Sequence, residues 1–327
     1  IGADAGTLPL VLQYSTWIFG GSVFLFFGTA AASILRAEGD MRTPMRVMVI
    51  SVLLNAVLDP LLIFGIGFFP RLEVTGAGIA TFIARAVGCV LLLACVFGGR
   101  TSVKVRFRGI AYDGAIVRSI LRVGVPTSAN QVIMSLSFMF FNTILGAFGT
   151  DAIAAYGLVI RLNQIVILPC LGIATAVITI VGQNVGARKF DRAESTAWRA
   201  ALYAIVIMEA VGVMFFLMPR PFMRVFTAEG QVIAYGVSCL RIVSLTYMFI
   251  GVSIIMGSAF QGAGKGLPAL VITALRLLIL AVPGAYALSR PFGLNGVWMA
   301  MAASTVIASI VSAIWFKSGT WKHLRPA

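Results

Sequence analysis

Asn55, Asp59 and Pro60 lie together in a long apolar run, MRVMVISVLLNAVLDPLLIF, from Met45 to Phe64. From Val47 to Phe64 the run approaches the length of a bilayer span, so it reads as a transmembrane helix with a carboxylate in its interior. A charge at that depth costs at least about 2.5 kcal/mol and by default marks an ion or substrate path. The i, i+4 spacing puts Asn55 and Asp59 on one helix face, and Pro60, which has no N–H, leaves the Ala56 carbonyl without its helical donor. Carboxylate, amide and freed carbonyl are oxygen ligands for a small hard cation such as Na⁺, or a polar niche for a carboxyl that takes up H⁺. The plainer alternative is a buried aspartate neutralised by an arginine of a neighbouring helix.

Other charges also fall inside apolar runs. Arg85, Arg161, Arg241 and Arg276 each lie about nine to twelve residues from a span end, roughly 14 to 18 Å, which is near the bilayer midplane. Glu209 is at a similar depth. Snorkelling to the headgroups is difficult from there, so these side chains are expected to face the bundle interior or a wet cavity. In one reading Glu209 pairs with an arginine and the others bind freed carbonyls. In the other, the arginines form a positive wall that favours anionic or zwitterionic amphiphiles. Gln131, Asn163 and Gln164, with Asn130 and Asn142, would line the same cavity without charge.

The elements that must position these groups follow from composition. Of the 327 residues, 60% are apolar and 11% charged, and the mean hydropathy is +0.99. That places the chain in the membrane class, with the lipid bilayer as its first partner. The formal charge of +14 comes from bases that flank apolar spans, a pattern of helix orientation rather than of nucleic-acid binding. Cys89, Cys95, Cys170 and Cys239 lie inside apolar runs without metal-ligand spacing and read as packing residues. With His323 as the only histidine, no triad or zinc pattern exists and no enzyme chemistry is expected. In GSAFQGAGK, Gly257 to Lys265, the GxxxxG is followed by Ala263 rather than Lys, and the stretch ends an apolar helix instead of following a strand, so it is not a phosphate-binding loop.

Apolar spans are expected at Leu8–Ile34, Met45–Phe64, Gly76–Phe97, Val125–Phe148, Ala152–Val181, Trp198–Met218, Val232–Phe260, Leu267–Leu288 and Leu294–Phe316, nine in all. The fold class is therefore all-α. Residues 1–98 would form one lobe segment, 99–122 a basic surface-lying connector, 123–318 a second lobe and 319–327 a cytoplasmic tail. Seventeen Lys and Arg fall on the side of the Arg36–Arg46 link, against Arg71, Arg220, Arg224 and Arg290 on the other. The bias makes the first side cytoplasmic.

LRAEGDMRTP at Leu35–Pro44 is echoed by FQGAGKGLP at Phe260–Pro268, and PRLEVTGAGIA at Pro70–Ala80 by RPFGLNGVWMA at Arg290–Ala300. Spans one to three thus repeat as seven to nine, while four to six have no upstream partner. A two-lobe arrangement of six plus six helices, lacking the first three, is the expectation, with the substrate path between lobes and alternating access by rocking.

LRAEGDMRTPM, NAVLDPLLIFG, VTGAGIAT, GQNVGARKFDRA and FQGAGKG, in this order and spacing, resemble the multidrug and toxic compound extrusion (MATE) family, from its fourth to its twelfth helix. The resemblance is closer to DinF- or MepA-like members than to the NorM type, whose carboxylates on the seventh and tenth helices have no counterpart in Val125–Phe148 or Val232–Phe260. It implies a monomeric antiporter of the bacterial inner membrane that exports amphiphilic small molecules against Na⁺ or H⁺ and needs no other cofactor. It further implies that Asp59 and Asn55, with Tyr14 from the preceding span, hold the coupling ion. A flippase of lipid-linked pyrophosphates in the related superfamily is the alternative, and a non-transporting membrane fragment the third.

Overall fold

In a membrane, a helix satisfies its own backbone, and helices approach one another closely where small residues permit. The structure, a computed structural model, describes residues 8–67, 69–98 and 113–322. These residues form helices separated by short turns and no strand. They divide into two compact units, Ile1–Ala111 and Tyr112–Ala327.

In the first unit, α1 (Leu8–Gly20), α2 (Ser22–Ala37) and α3 (Arg42–Phe64) all pack on α4 (Glu73–Phe97). Gly76 makes the α3–α4 approach possible: a Cβ there would stand 2.5 Å from the Leu62 carbonyl oxygen. The Leu72 N–H donates to that same oxygen at 2.9 Å, tying the corner after Asp59 and Pro60. Thr75 and Gln13 hydrogen-bond between α4 and α1 at 3.2 Å. The unit's small core is Ala31, Ala32, Leu35, Val47, Leu92 and Val96.

The second unit contains α5 (Gly114–Gly146), α6 (Thr150–Gly186), α7 (Phe190–Leu217), α8 (Pro219–Arg224), α9 (Gly230–Ser244), α10 (Tyr247–Gly262), α11 (Leu267–Ala274), a π-helical stretch (Leu275–Ala281), α12 (Val282–Phe292) and α13 (Leu294–Lys317). Its core runs from the alanine-rich face of α7 through α6 and α10 to Trp298, Phe316 and Trp321.

Among the described residues, eight helices are long and apolar enough to span a bilayer; α9 and α10, meeting at 56°, make a ninth if taken as one broken span. Val232–Phe260 is therefore not the continuous helix expected from hydropathy. Ser244 and Thr246 turn their hydroxyls back onto the Arg241 and Val243 carbonyls, at 3.3 and 2.7 Å, and break the ladder there.

The expected connector is also shorter. Asp113 caps α5 by accepting from the Ala115 and Ile116 N–H groups at 2.8 and 3.4 Å, so residues 114–122 are helical and Pro126 lies inside the helix. Residues 99–112 lie outside the described residues, as do 323–327 of the tail. The described start of that tail is packed: Trp321 stacks on Phe316 with centroids 5.0 Å apart and donates to its carbonyl at 2.9 Å. GQNVG, Gly182 to Gly186, forms the last turn of α6.

The repeat has a backbone signature. After α2 the N–H of Gly39 donates to Arg36 O at 2.9 Å and that of Asp40 to Leu35 O at 3.0 Å. After α10 the N–H of Gly264 donates to Gln261 O and that of Lys265 to Phe260 O, both at 2.9 Å. Both are Schellman closures with the glycine at positive φ, 91° and 74°. Further along, Gly296 lies under the Leu288 carbonyl as Gly76 does under Leu62.

Candidate ion-coupling and substrate sites

The helix face expected to carry the ion site is present. Asn55 Nδ2 donates to Asp59 Oδ1 at 3.3 Å, and both side chains are half-buried. α3 continues through Pro60 and stops at Gly65, whose left-handed conformation (φ 70°, ψ 50°) closes the last turn on Leu61 O at 3.1 Å. No ion pair to Asp59 occurs among the described residues. The arginine that the plainer reading needs is therefore not bonded to it. Each oxygen of the pair that is not spent on the Asn55 contact is available to a cation or a proton.

Tyr14 makes no hydrogen bond to this pair among the described residues. It is 38% exposed on α1, a helix that packs on α4 rather than against α3. Its neighbour Gln13 makes the contact to α4 instead. Arg85 is half-buried on α4.

In the second unit the midplane charges separate into two kinds. Arg161, Gln164, Arg241 and Gln131 are exposed rather than enclosed within the packed helices, which leaves the wet cavity of the two expected surroundings. The cause is register. Buried positions on α6 run Ala152, Ala155, Val159, Leu162, Val166 and Cys170, so Arg161, Gln164 and Ile165 take the opposite face. On α9 the buried row is Val232, Gly236, Cys239, Leu240 and Val243, which turns Arg241 outward. Asn163, on the edge of the α6 buried face, accepts from the Tyr247 hydroxyl.

Arg276 and Glu209 are half-buried. Glu209 makes no ion pair among the described residues, and its Oε2 is buried without a hydrogen-bond partner. The Glu209–arginine pair of the first reading is not formed among the described residues. Arg276 sits at the second residue of the π stretch Leu275–Ala281, in electrostatic reach of Tyr156 and without a carboxylate partner among the described residues. Tyr156 is sandwiched between Phe138 and Trp298, at 6.1 and 6.0 Å. The Trp298 Nε1 is buried and unpartnered.

Sequence reasoning did not select Tyr156, Tyr247 or Trp298. Each is an aromatic with a polar tip inside an apolar run, which is the available signal. Their partners lie far away in sequence, Asn163 being 84 residues from Tyr247.

A chain of this architecture, with polar groups held within long apolar helices, is of the membrane-transporter class. The MatE family model matches residues 1–61 and 126–287, and the chain belongs to that family. A probable multidrug resistance protein NorM from Thermotoga maritima is 30% identical over 312 residues, 95% of this chain and 67% of that protein. An FAD transporter from Shewanella oneidensis is 26% identical over 95% of this chain and 69% of its own length. Among solved structures, a MOP superfamily transporter from Pyrococcus furiosus, described by the reverse polarity of its binding pocket, superimposes with a TM-score of 0.91 at 29% identity, over 99% of this chain and 73% of that one.

Proposed function

We propose that this MatE-family protein exports amphiphilic small molecules across the bacterial inner membrane, as a monomer, in exchange for Na⁺ or H⁺. Asp59 binds the coupling ion and Asn55 completes its shell. Loading the site changes the helix around Pro60 and shifts the protein between inward- and outward-open forms, which is alternating access. The observation that carries this reading is the half-buried Asn55–Asp59 contact, which has no cationic partner among the described residues. An intramembrane carboxylate left without a counter-ion is retained at a cost, and ion binding explains the retention.

A second reading concerns substrate charge. Arg276, half-buried without a carboxylate, favours anionic or zwitterionic amphiphiles. The FAD transporter and the pocket of reverse polarity among the similar proteins support it. A flippase of lipid-linked pyrophosphates would use the same arginine. Vesicles containing the protein and a fluorescent amphiphile, under an imposed pH or Na⁺ gradient, separate the readings. Antiport predicts gradient-driven movement that Asp59→Asn abolishes. A flippase predicts that Asp59→Asn is tolerated while Arg276→Gln is not.

A further inference from the structure

Of the bases on the side of the membrane poor in Lys and Arg, two are already engaged. Arg71 pairs with Glu73 at 3.1 Å. Arg290 lies over the Tyr286 ring, 5.0 Å from its centroid, and donates to its hydroxyl at 3.2 Å. The other two, Arg220 and Arg224, have no hydrogen-bond or ion-pair partner among the described residues. They stand one turn apart on α8, so they share a face. Between them and the start of α9 is an open cavity of about 540 Å³, also lined by Thr227, Gly230, Ile233 and Ala234.

The polar side chains that line this cavity, Arg220, Arg224 and Thr227, each carry a donor, and none is a carboxylate. Thr227 Oγ1 accepts from the Glu229 N–H at 3.2 Å, which leaves its own proton free to point elsewhere. α9 has no side-chain cap, so the N–H groups of its first turn are unspent at a positive helix end. The Glu229 carboxylate is exposed beside the cavity but does not line it. The comparable cavity at the α6–α7 corner contains Arg192 and Arg199 but also Asp191, and the bias toward bases on its side accounts for its arginines. That bias runs against arginines at α8. Two unpaired guanidiniums, a hydroxyl and a helix N-terminus around one space match a phosphate group.

We propose that the α8–α9 cavity is a phosphate site, filled either by the headgroup of an anionic phospholipid in the adjoining leaflet or by free phosphate. It is independent of the ion-coupling reading. Met223, packed against Gly236, holds α8 on α9, so neutralising the arginines leaves that contact in place.

The test counts phosphatidylglycerol molecules retained by the purified protein in native mass spectrometry. It compares wild type with Arg220→Gln/Arg224→Gln and with Arg71→Gln/Arg290→Gln, which removes equal charge on the same side. Ala234→Leu serves as a second variant that fills the cavity and keeps both arginines. Thermal midpoints in lipid-free detergent verify folding. A headgroup site predicts that wild type and the Arg71/Arg290 variant retain one more lipid than the Arg220/Arg224 and Ala234 variants, with at least a tenfold drop in occupancy of that molecule. If retention is equal in all four but inorganic phosphate raises the midpoint of wild type and not of the cavity variants, the site takes free phosphate. Equal retention together with equal response to phosphate overturns the proposal.

Discussion

The spans Arg42–Phe64 and Leu267–Phe292 occupy equivalent places in the repeat, each following a Schellman closure and each packing its far end under a glycine of the next helix. The first keeps regular α geometry through Pro60 and carries a carboxylate and an amide one turn apart. The second has apolar residues near Pro283, carries Arg276 earlier in its course and widens into a π segment over Leu275–Ala281. The frame is thus common to both units, and what differs is the sign of the charge within it. A π widening inside an α-helix frequently accompanies function, as does an intramembrane ionisable group. In this pair of repeats, a carboxylate–amide pair in one unit corresponds to an arginine in the other.

The largest expected effect concerns the shared frame. Gly76→Ala and Gly296→Ala each put a Cβ against backbone, that of Leu62 and of Leu288, and neither backbone can retreat as a side-chain tip would. Each should lower stability by about 2 kcal/mol or more. Gly172→Ala, with nothing within 4 Å, should be neutral or slightly stabilising. Thermal midpoints of the three variants in one detergent decide whether both corners are built alike. A tolerated Gly296→Ala would break the equivalence.

The charge difference is sharpened by Arg276→Gln. Uptake of an anionic amphiphile should fall about tenfold, on the order of 1.4 kcal/mol of lost interaction, while the dependence of transport on the imposed ion gradient stays as in wild type. A variant that instead lost ion dependence would merge the two sites into one.

Smaller effects come from the turns. Arg188 ends α6 in a Schellman closure at φ 58°, a conformation that suits glycine. Arg188→Gly should stabilise by about 1 kcal/mol in thermal unfolding. The equivalent closures at Gly39 and Gly264 should lose a similar amount on substitution by alanine. At the start of α3, the Thr43 hydroxyl, with the N–H groups of Thr43 and Arg42, holds the Asp40 carboxyl below its ordinary value of 3.8. Its contribution is present above that value and is lost as pH falls through the lowered one. Asp40→Asn should therefore flatten acid unfolding slightly, by less than about 1 kcal/mol.

Local geometry was legible in the sequence. Asn55 and Asp59 meet because they are one turn apart, and the paired glycine turns repeat because positive φ needs glycine. What was not legible depends on which apolar surface a helix turns inward. α6 carries apolar residues around its whole circumference, and hydropathy does not distinguish the face against α7 and α10 from the face carrying Arg161. The break at Leu245–Thr246 was hidden for the same reason, since mean hydropathy stays high across it while two hydroxyls redirect the backbone. Tyr14 shares a span with Gln13, and only packing shows that Gln13 holds the neighbouring helix.

The central claim is that Asp59 is the ion-binding carboxylate, and equilibrium binding tests it without a transport cycle. Binding of radioactive Na⁺ to the purified protein and, in parallel, the infrared band of a protonated carboxyl are followed across pH for wild type and Asp59→Asn. The account predicts either saturable Na⁺ binding or a titrating carboxyl band in wild type, and its loss in Asp59→Asn with folding intact. Retention of the same Na⁺ binding and the same titrating band in Asp59→Asn would contradict it.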